Sequence, residues 1–221
     1  MLKHTQKIKE KYEEIQRRIF YMIPEKWEEL YLYTSITDRL GDMQTGEMFF
    51  YYIPRGLIKR KPVNVYEIPS RFNIDESDYS SLVKILYDSL KELRELFRNT
   101  NQKVWTNLTI SIKSFKFKIE YNYDDLSERD YNSEERHIIW RYKYLNLNPY
   151  NCNREEKEVI QRYLSERRNE TKNETYEAGI YIKDIKNIVD YETENYESIQ
   201  NVEYVASKSN NVSQNQILFK K

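Results

Sequence analysis

Ile8, Tyr12, Ile15, Ile19 and Met22 alternate spacings of four and three, which places them on one face of a helix predicted over residues 5–22. Pro24 stops that helix, because proline has no N–H to donate and its ring crowds the preceding turn. Residues 27–35 mix aromatic and β-favouring side chains and read as a strand; 47–53 is a second, strongly aromatic one. Residues 38–46, with Gly41 and Gly46, read as the hairpin loop between them. Pro54-Arg55-Gly56 marks a turn, Lys59-Arg60-Lys61 keeps the next loop solvated, and 63–67 is a candidate third strand.

The clearest helical pattern follows. Tyr79, Leu82, Val83, Leu86, Leu90, Leu93 and Phe97 form one apolar stripe, with Asn73 or Asp75 as cap and Asp75, Glu76 and Asp78 near the positive helix end. Residues 106–112 and 115–123 read as paired strands; Phe115, Phe117, Ile119 and Tyr121 alternate with polar residues, so one face of that hairpin is buried. Ser133 is positioned to cap a helix that begins with Glu134 and Glu135 and runs to about Leu145. Pro149 separates it from a last helix near 154–168, with Val159, Ile160, Tyr163 and Leu164 inward. This order predicts an α+β fold: an antiparallel sheet packed with long amphipathic helices, plus a C-terminal extension. The domain is expected over 1–165. Residues 166–221 are polar, with apolar content only at 179–189 and 216–219, too little for an independent core.

Composition narrows the class. A chain of 221 residues suits one domain with an appendage. Its 36 basic and 36 acidic residues cancel, so net charge argues neither for nor against a nucleic-acid partner. The single cysteine, Cys152, excludes an internal disulfide and a cysteine-rich zinc site. No stretch has the apolar length of a signal peptide or a membrane span, so the expected location is the cytoplasm, without a membrane partner. Twenty-one tyrosines supply rings for the core and hydroxyls for its wet margins.

No catalytic constellation stands out. His4 lies near the chain start, His137 on a predicted helix and Cys152 in an Asn-rich loop, without a spacing that defines a nucleophile–base pair. No cofactor or metal is expected; the acids at Asp124, Asp125, Glu128, Asp130, Glu134 and Glu135 lack the glycine and ligand spacing of a calcium loop. In the bland reading they form a solvated loop and an acid-rich first helical turn. In the functional reading they form a partner-binding patch, flanked by Tyr121, Tyr123 and Tyr131, that offers carboxylates to a phosphate-binding protein surface. Against wholesale nucleic-acid mimicry, residues 1–165 hold 28 basic and 26 acidic side chains. Arg17-Arg18 and Lys59-Arg60-Lys61 read as solvated faces, so direct nucleic-acid contact is not expected. Trp27, Trp105 and Trp140 read as core.

Several blocks stand in a recognisable order: Met22-Ile23-Pro24-Glu25-Lys26-Trp27, Glu47-Met48-Phe49-Phe50-Tyr51-Tyr52, Ile68-Pro69-Ser70-Arg71-Phe72-Asn73-Ile74, Lys91-Glu92-Leu93-Arg94-Glu95-Leu96-Phe97, Val104-Trp105-Thr106-Asn107, and Ile139-Trp140-Arg141-Tyr142-Lys143-Tyr144-Leu145 before Pro149. In this order they resemble the YezG/EsaG-type antitoxins over about residues 5–165. The resemblance implies a non-enzymatic immunity protein of the bacterial cytoplasm that binds the C-terminal nuclease domain of a cognate type VII secreted toxin and inhibits it. The alternative is a nucleic-acid-binding or regulatory protein without catalytic activity. The resemblance transfers no contact residue, so the toxin-binding candidates are those of local chemistry: Tyr121, Tyr123, Asp124, Asp125, Glu128, Asp130, Tyr131, Glu134 and Glu135. Homo-oligomerisation stays open. The extension after Ser165 and the basic loop at 55–61 depart from the family pattern.

Overall fold

The computed structural model describes residues 2–38, 44–56, 61–114, 116–124, 126 and 131–169. In chain order these form α1 (Leu2–Tyr21), β1 (Trp27–Asp38), β2 (Gln44–Pro54), β3 (Val63–Asn64), α2 (Ile68–Phe72), α3 (Glu76–Asn99), β4 (Asn107–Lys113), β5 (Lys116–Asn122), α4 (Ser133–Tyr144) and α5 (Arg154–Asn169). The strands make one antiparallel sheet in the order β3-β2-β1-β4-β5.

Period two along the strands divides the sheet into two faces. Leu30, Leu32 and Ile36 of β1, Phe50 and Tyr52 of β2, Leu108, Ile110 and Ile112 of β4, and Phe117, Ile119 and Tyr121 of β5 all join the main core. Ile8, Tyr12, Ile15 and Ile19 of α1 and Tyr79, Leu86, Leu90, Leu93 and Phe97 of α3 complete it. Each fully buried Leu or Ile stabilises the fold by about 1.5–3 kcal/mol relative to exposure. Trp105 is fully buried in the same layer. The opposite face carries a smaller aromatic cluster, built on Tyr31 and Tyr33 with Trp140 of α4. A third cluster joins α4 to α5 through Ile138, Val159 and Ile160.

Local chemistry decides the boundaries of several expected elements. The candidate strand at 63–67 pairs only at Asn64 and Val63, opposite Tyr51 and Tyr52. Asn64 then accepts a hydrogen bond from the Tyr66 N–H at 3.1 Å, turning the chain into a short 3-10 segment. Pro69 sits in the first turn of α2, where its missing N–H costs nothing, and Asn73 closes that helix in the left-handed region at φ 53°. Asp75 rather than Asn73 caps α3, accepting from the Asp78 N–H at 3.0 Å. Asn132 rather than Ser133 caps α4: its side chain accepts from the Glu135 N–H at 3.0 Å, while Glu135 accepts from the Asn132 N–H at 2.9 Å. The interior of the expected hairpin loop, Lys59 and Arg60, Phe115 and the extension beyond Asn169 lie outside the described residues.

Candidate partner-binding site

α4 lies on the second sheet face because its residues meet an aromatic row. Tyr33 and Phe49 stack with centroids 4.9 Å apart, His137 stacks on Phe49 at 4.3 Å, and Trp140 packs obliquely on Tyr33, Phe49 and Tyr51. The buried Trp140 indole N–H donates to Thr109 Oγ1 at 3.1 Å, which satisfies the polar end of a ring taken out of water. Polar ties then set the helix position. Arg136 pairs with Glu47 of β2 and donates to the Tyr131 carbonyl at 2.7 Å. Tyr144 donates to Glu120 of β5 at 2.6 Å, and the Tyr51 hydroxyl lies 2.9 Å from His137 Nε2.

Beside these ties the surface is concave. A cavity of about 150 Å³ lies between β4, β5 and α4, lined by Asn107, Thr109, Glu120, Trp140 and Tyr144. A wider cleft of about 740 Å³ opens at the β1–β2 end, lined by Thr37, Asp38, Glu47, Arg94 and Tyr123. Leu126 and Arg136 border both spaces. The lining mixes charged, amide and aromatic groups.

The predicted residues separate by role. Tyr121 is buried in the main core, its hydroxyl 2.8 Å from that of Tyr12 and its ring 5.0 Å from Phe97. Burial holds its pKa well above the ordinary tyrosine value. It is not presented at the surface. Tyr131 is also buried; its hydroxyl donates to Glu166, and Arg162 lies 4.6 Å over its ring. Glu135 caps α4 and receives Arg162 at 2.6 Å. The backbone bond from Asn132, followed by Arg162, holds its pKa below the ordinary glutamate value. Tyr131 and Glu135 thus clamp α5 onto α4. Tyr123, which lines the wider cleft, and Asp124 are half-buried, and Glu134 is exposed; the Asp124 N–H donates to Asn122 at 2.8 Å, and Lys103 lies 4.6 Å over the Tyr123 ring. Asp125, Glu128 and Asp130 lie outside the described residues. Sequence reasoning missed Glu47, Arg136 and Asp38, whose partners are 89 and 56 residues away in the chain and leave no local signal.

His137 and Cys152 have separate surroundings. Burial, then the Arg141 charge, push the His137 pKa down to about 4. The unfolded state therefore binds a proton near pH 6.5 that the folded state refuses until about pH 4. Its contribution to stability is complete above pH 6.5 and declines as pH falls between those values. Because the ring is only partly buried, the expected loss is about 1–2 kcal/mol after discounting for solvent screening. Urea unfolding of wild type and His137→Phe at pH 7 and pH 4.5 checks this: the variant lacks that share of the acid-side decline. Cys152 is buried with its Sγ–H directed at the Asn148 carbonyl, 3.4 Å away, and burial and Glu156 raise its pKa, which disfavours the thiolate. Among the described residues no group of three metal-ligating side chains converges, and no helix is long and apolar enough to cross a membrane.

Comparison with known proteins fits this architecture. The chain is 36% identical over 140 residues to an immunity protein YezG of Bacillus spizizenii, covering 63% of this chain and 83% of that one. It is 32% identical over 133 residues to the immunity protein YezG of Bacillus subtilis, covering 60% and 83%. It is 29% identical over 140 residues to the type VII secretion system protein EsaG of Staphylococcus aureus, covering 62% and 81%. Residues 8–161 match the family described as immunity protein YezG-like, from buried Ile8 of α1 to just past buried Ile160 in α5. With that match spanning the sheet and both of its helical coverings, the chain belongs to the YezG-like immunity protein family.

Proposed function

We propose that this protein binds and inhibits the nuclease domain of a cognate toxin exported by type VII secretion, protecting the cell that makes both. The carrying observation is the family match over residues 8–161; the similarity to a staphylococcal protein named for type VII secretion supports the export route. The protein acts by occupancy and needs no catalytic group of its own. A nuclease holds phosphates on a cationic surface, and carboxylates presented by an inhibitor compete for it and speed the encounter. The segment leading into α4 supplies such groups at Asp124, Asp125, Glu128, Asp130 and Glu134, with Tyr123, which lines the wider cleft, as an aromatic contact.

Two measurements test this reading. Co-expression with the type VII toxin encoded beside the gene is expected to abolish DNA cleavage; failure to bind or protect removes the functional assignment. Replacing Asp124, Asp125, Glu128 and Asp130 together by Lys is expected to weaken toxin binding about 10–100-fold, mostly through slower association, with unfolding unchanged. Wild-type affinity in that variant removes the acidic segment from the interface and leaves the immunity assignment standing.

A further inference from the structure

β5 is an edge strand of seven residues that pairs, among the described residues, with β4 alone. An unpaired edge presents a row of N–H and C=O groups to any strand of fitting register. Its side chains alternate: Phe117, Ile119 and Tyr121 enter the main core, whereas Lys116, Lys118, Glu120 and Asn122 face the α4 side. We propose that β5 is a self-association seam, in which two copies pair their β5 strands antiparallel about a two-fold axis at Ile119.

The register follows from pairing rules. Residues directly opposite one another in a sheet share a face, so a core-facing position must meet a core-facing position. Centring the axis on Lys118 or on Glu120 sets like charges opposite each other, which is destabilising. Centring it on Ile119 places Lys118 opposite Glu120 of the second copy, twice by symmetry, and Lys116 opposite Asn122 of the second copy. On the other face Phe117 meets Tyr121 of the second copy, and all seven residues are paired. Lysines on an edge ordinarily deter pairing; in this register each finds a carboxylate or an amide across the axis. Within one chain Lys118 Nζ is already 2.6 Å from a Glu120 oxygen, so the seam gathers two lysines and two carboxylates into one alternating cluster. The two five-stranded sheets become one continuous sheet with α1 and α3 of both copies on the same side.

The seam is tested by sedimentation of the full chain as a function of concentration, with hydrogen exchange of the 116–122 amides read in parallel. The expected species has twice the 27.2 kDa chain mass, and the outward β5 amides, those not bonded to β4, gain protection as it forms. Lys118→Glu and Glu120→Lys are each expected to remain monomeric at concentrations where wild type dimerises. Mixing the two variants restores the dimer, because each then offers the charge the other needs; this recovery also shows that both variants are folded. A chain that stays monomeric with unprotected β5 amides overturns the proposal. A monomer with protected β5 amides also overturns it, in favour of an intramolecular partner such as residues 179–189. A dimer indifferent to both substitutions overturns it too, by placing the seam elsewhere.

Discussion

Gly46→Ala is expected to cost at least about 3 kcal/mol of folding stability, read as a fall in the urea midpoint at unchanged slope. Gly46 pairs with Ile36 where the two longest strands of the sheet meet the hairpin. A Cβ placed there stands 1.7 Å from the Ser35 carbonyl oxygen and 2.4 Å from the Tyr87 hydroxyl. The tyrosine can swing away, at the loss of the 3.2 Å hydrogen bond it donates to Ser35 O. The carbonyl cannot, since Ser35 is paired on both sides, with Glu47 and with Asn107, and moving it disturbs both neighbouring strands. Total stability of a domain is about 5–15 kcal/mol, so this one methyl removes a large share of it. Gly56→Ala is the matched control: a methyl group there meets nothing within 4 Å, and the expected change is within about 0.5 kcal/mol.

The second large effect falls on Arg94. Its side chain is 5% exposed, and the guanidinium donates to both carboxylate oxygens of Asp38 at 2.9 Å and, through Nε, to the Trp105 carbonyl at 2.9 Å. One residue thereby fixes the end of β1 and the entry to β4 onto α3. Arg94→Ala is expected to destabilise by about 3–4 kcal/mol, through a packing void and an orphaned Trp105 carbonyl. Asp38→Ala leaves the guanidinium buried with only that carbonyl; because Asp38 is half exposed and Arg98 also reaches it, the expected cost is nearer about 2 kcal/mol. The double variant should lose less than the sum, since the pair acts as a unit. Titration gives an independent check. Arg94, its hydrogen bond and then its charge, holds the Asp38 carboxyl below its ordinary value of 3.8. The pair's contribution is therefore complete above that value and is lost as pH falls through the depressed one. Thermal unfolding of wild type and Asp38→Ala should converge toward strong acid.

Much of this fold is legible in the order of residues, because it rests on periodicity. The α3 stripe, the α1 face and the alternation in β5 each locate a buried surface, and all three enter one core. The same period also assigns Tyr121 inward with Phe117 and Ile119, while Tyr123, just past the end of β5, packs against the margin of that core and lines the wider cleft. Side chains that bond their own backbone are harder to read. Asn64 ends a strand that β-favouring Val63, Val65 and Tyr66 would otherwise extend, and Asn132 takes the cap one residue before an equally suitable serine. The pairs that shape the concave surface, Arg136 with Glu47 and Arg94 with Asp38, depend on chain segments meeting in space and are invisible to local pattern. Of the acidic segment, sequence chemistry finds the residues but not the division of labour, in which Glu135 and Tyr131 hold two helices together while Asp124 is half-buried and Glu134 exposed.

The helical pair α4–α5 keeps its own apolar cluster, apart from the one under α1 and α3. For the proposed immunity role such a partition is useful. Exposed positions of α5 and the α4 entry can drift, acquire new charges and lose old ones while the sheet and its principal helices go on folding as before. On the proposed reading, substitutions at such positions retune recognition while the core under α1 and α3 keeps its composition.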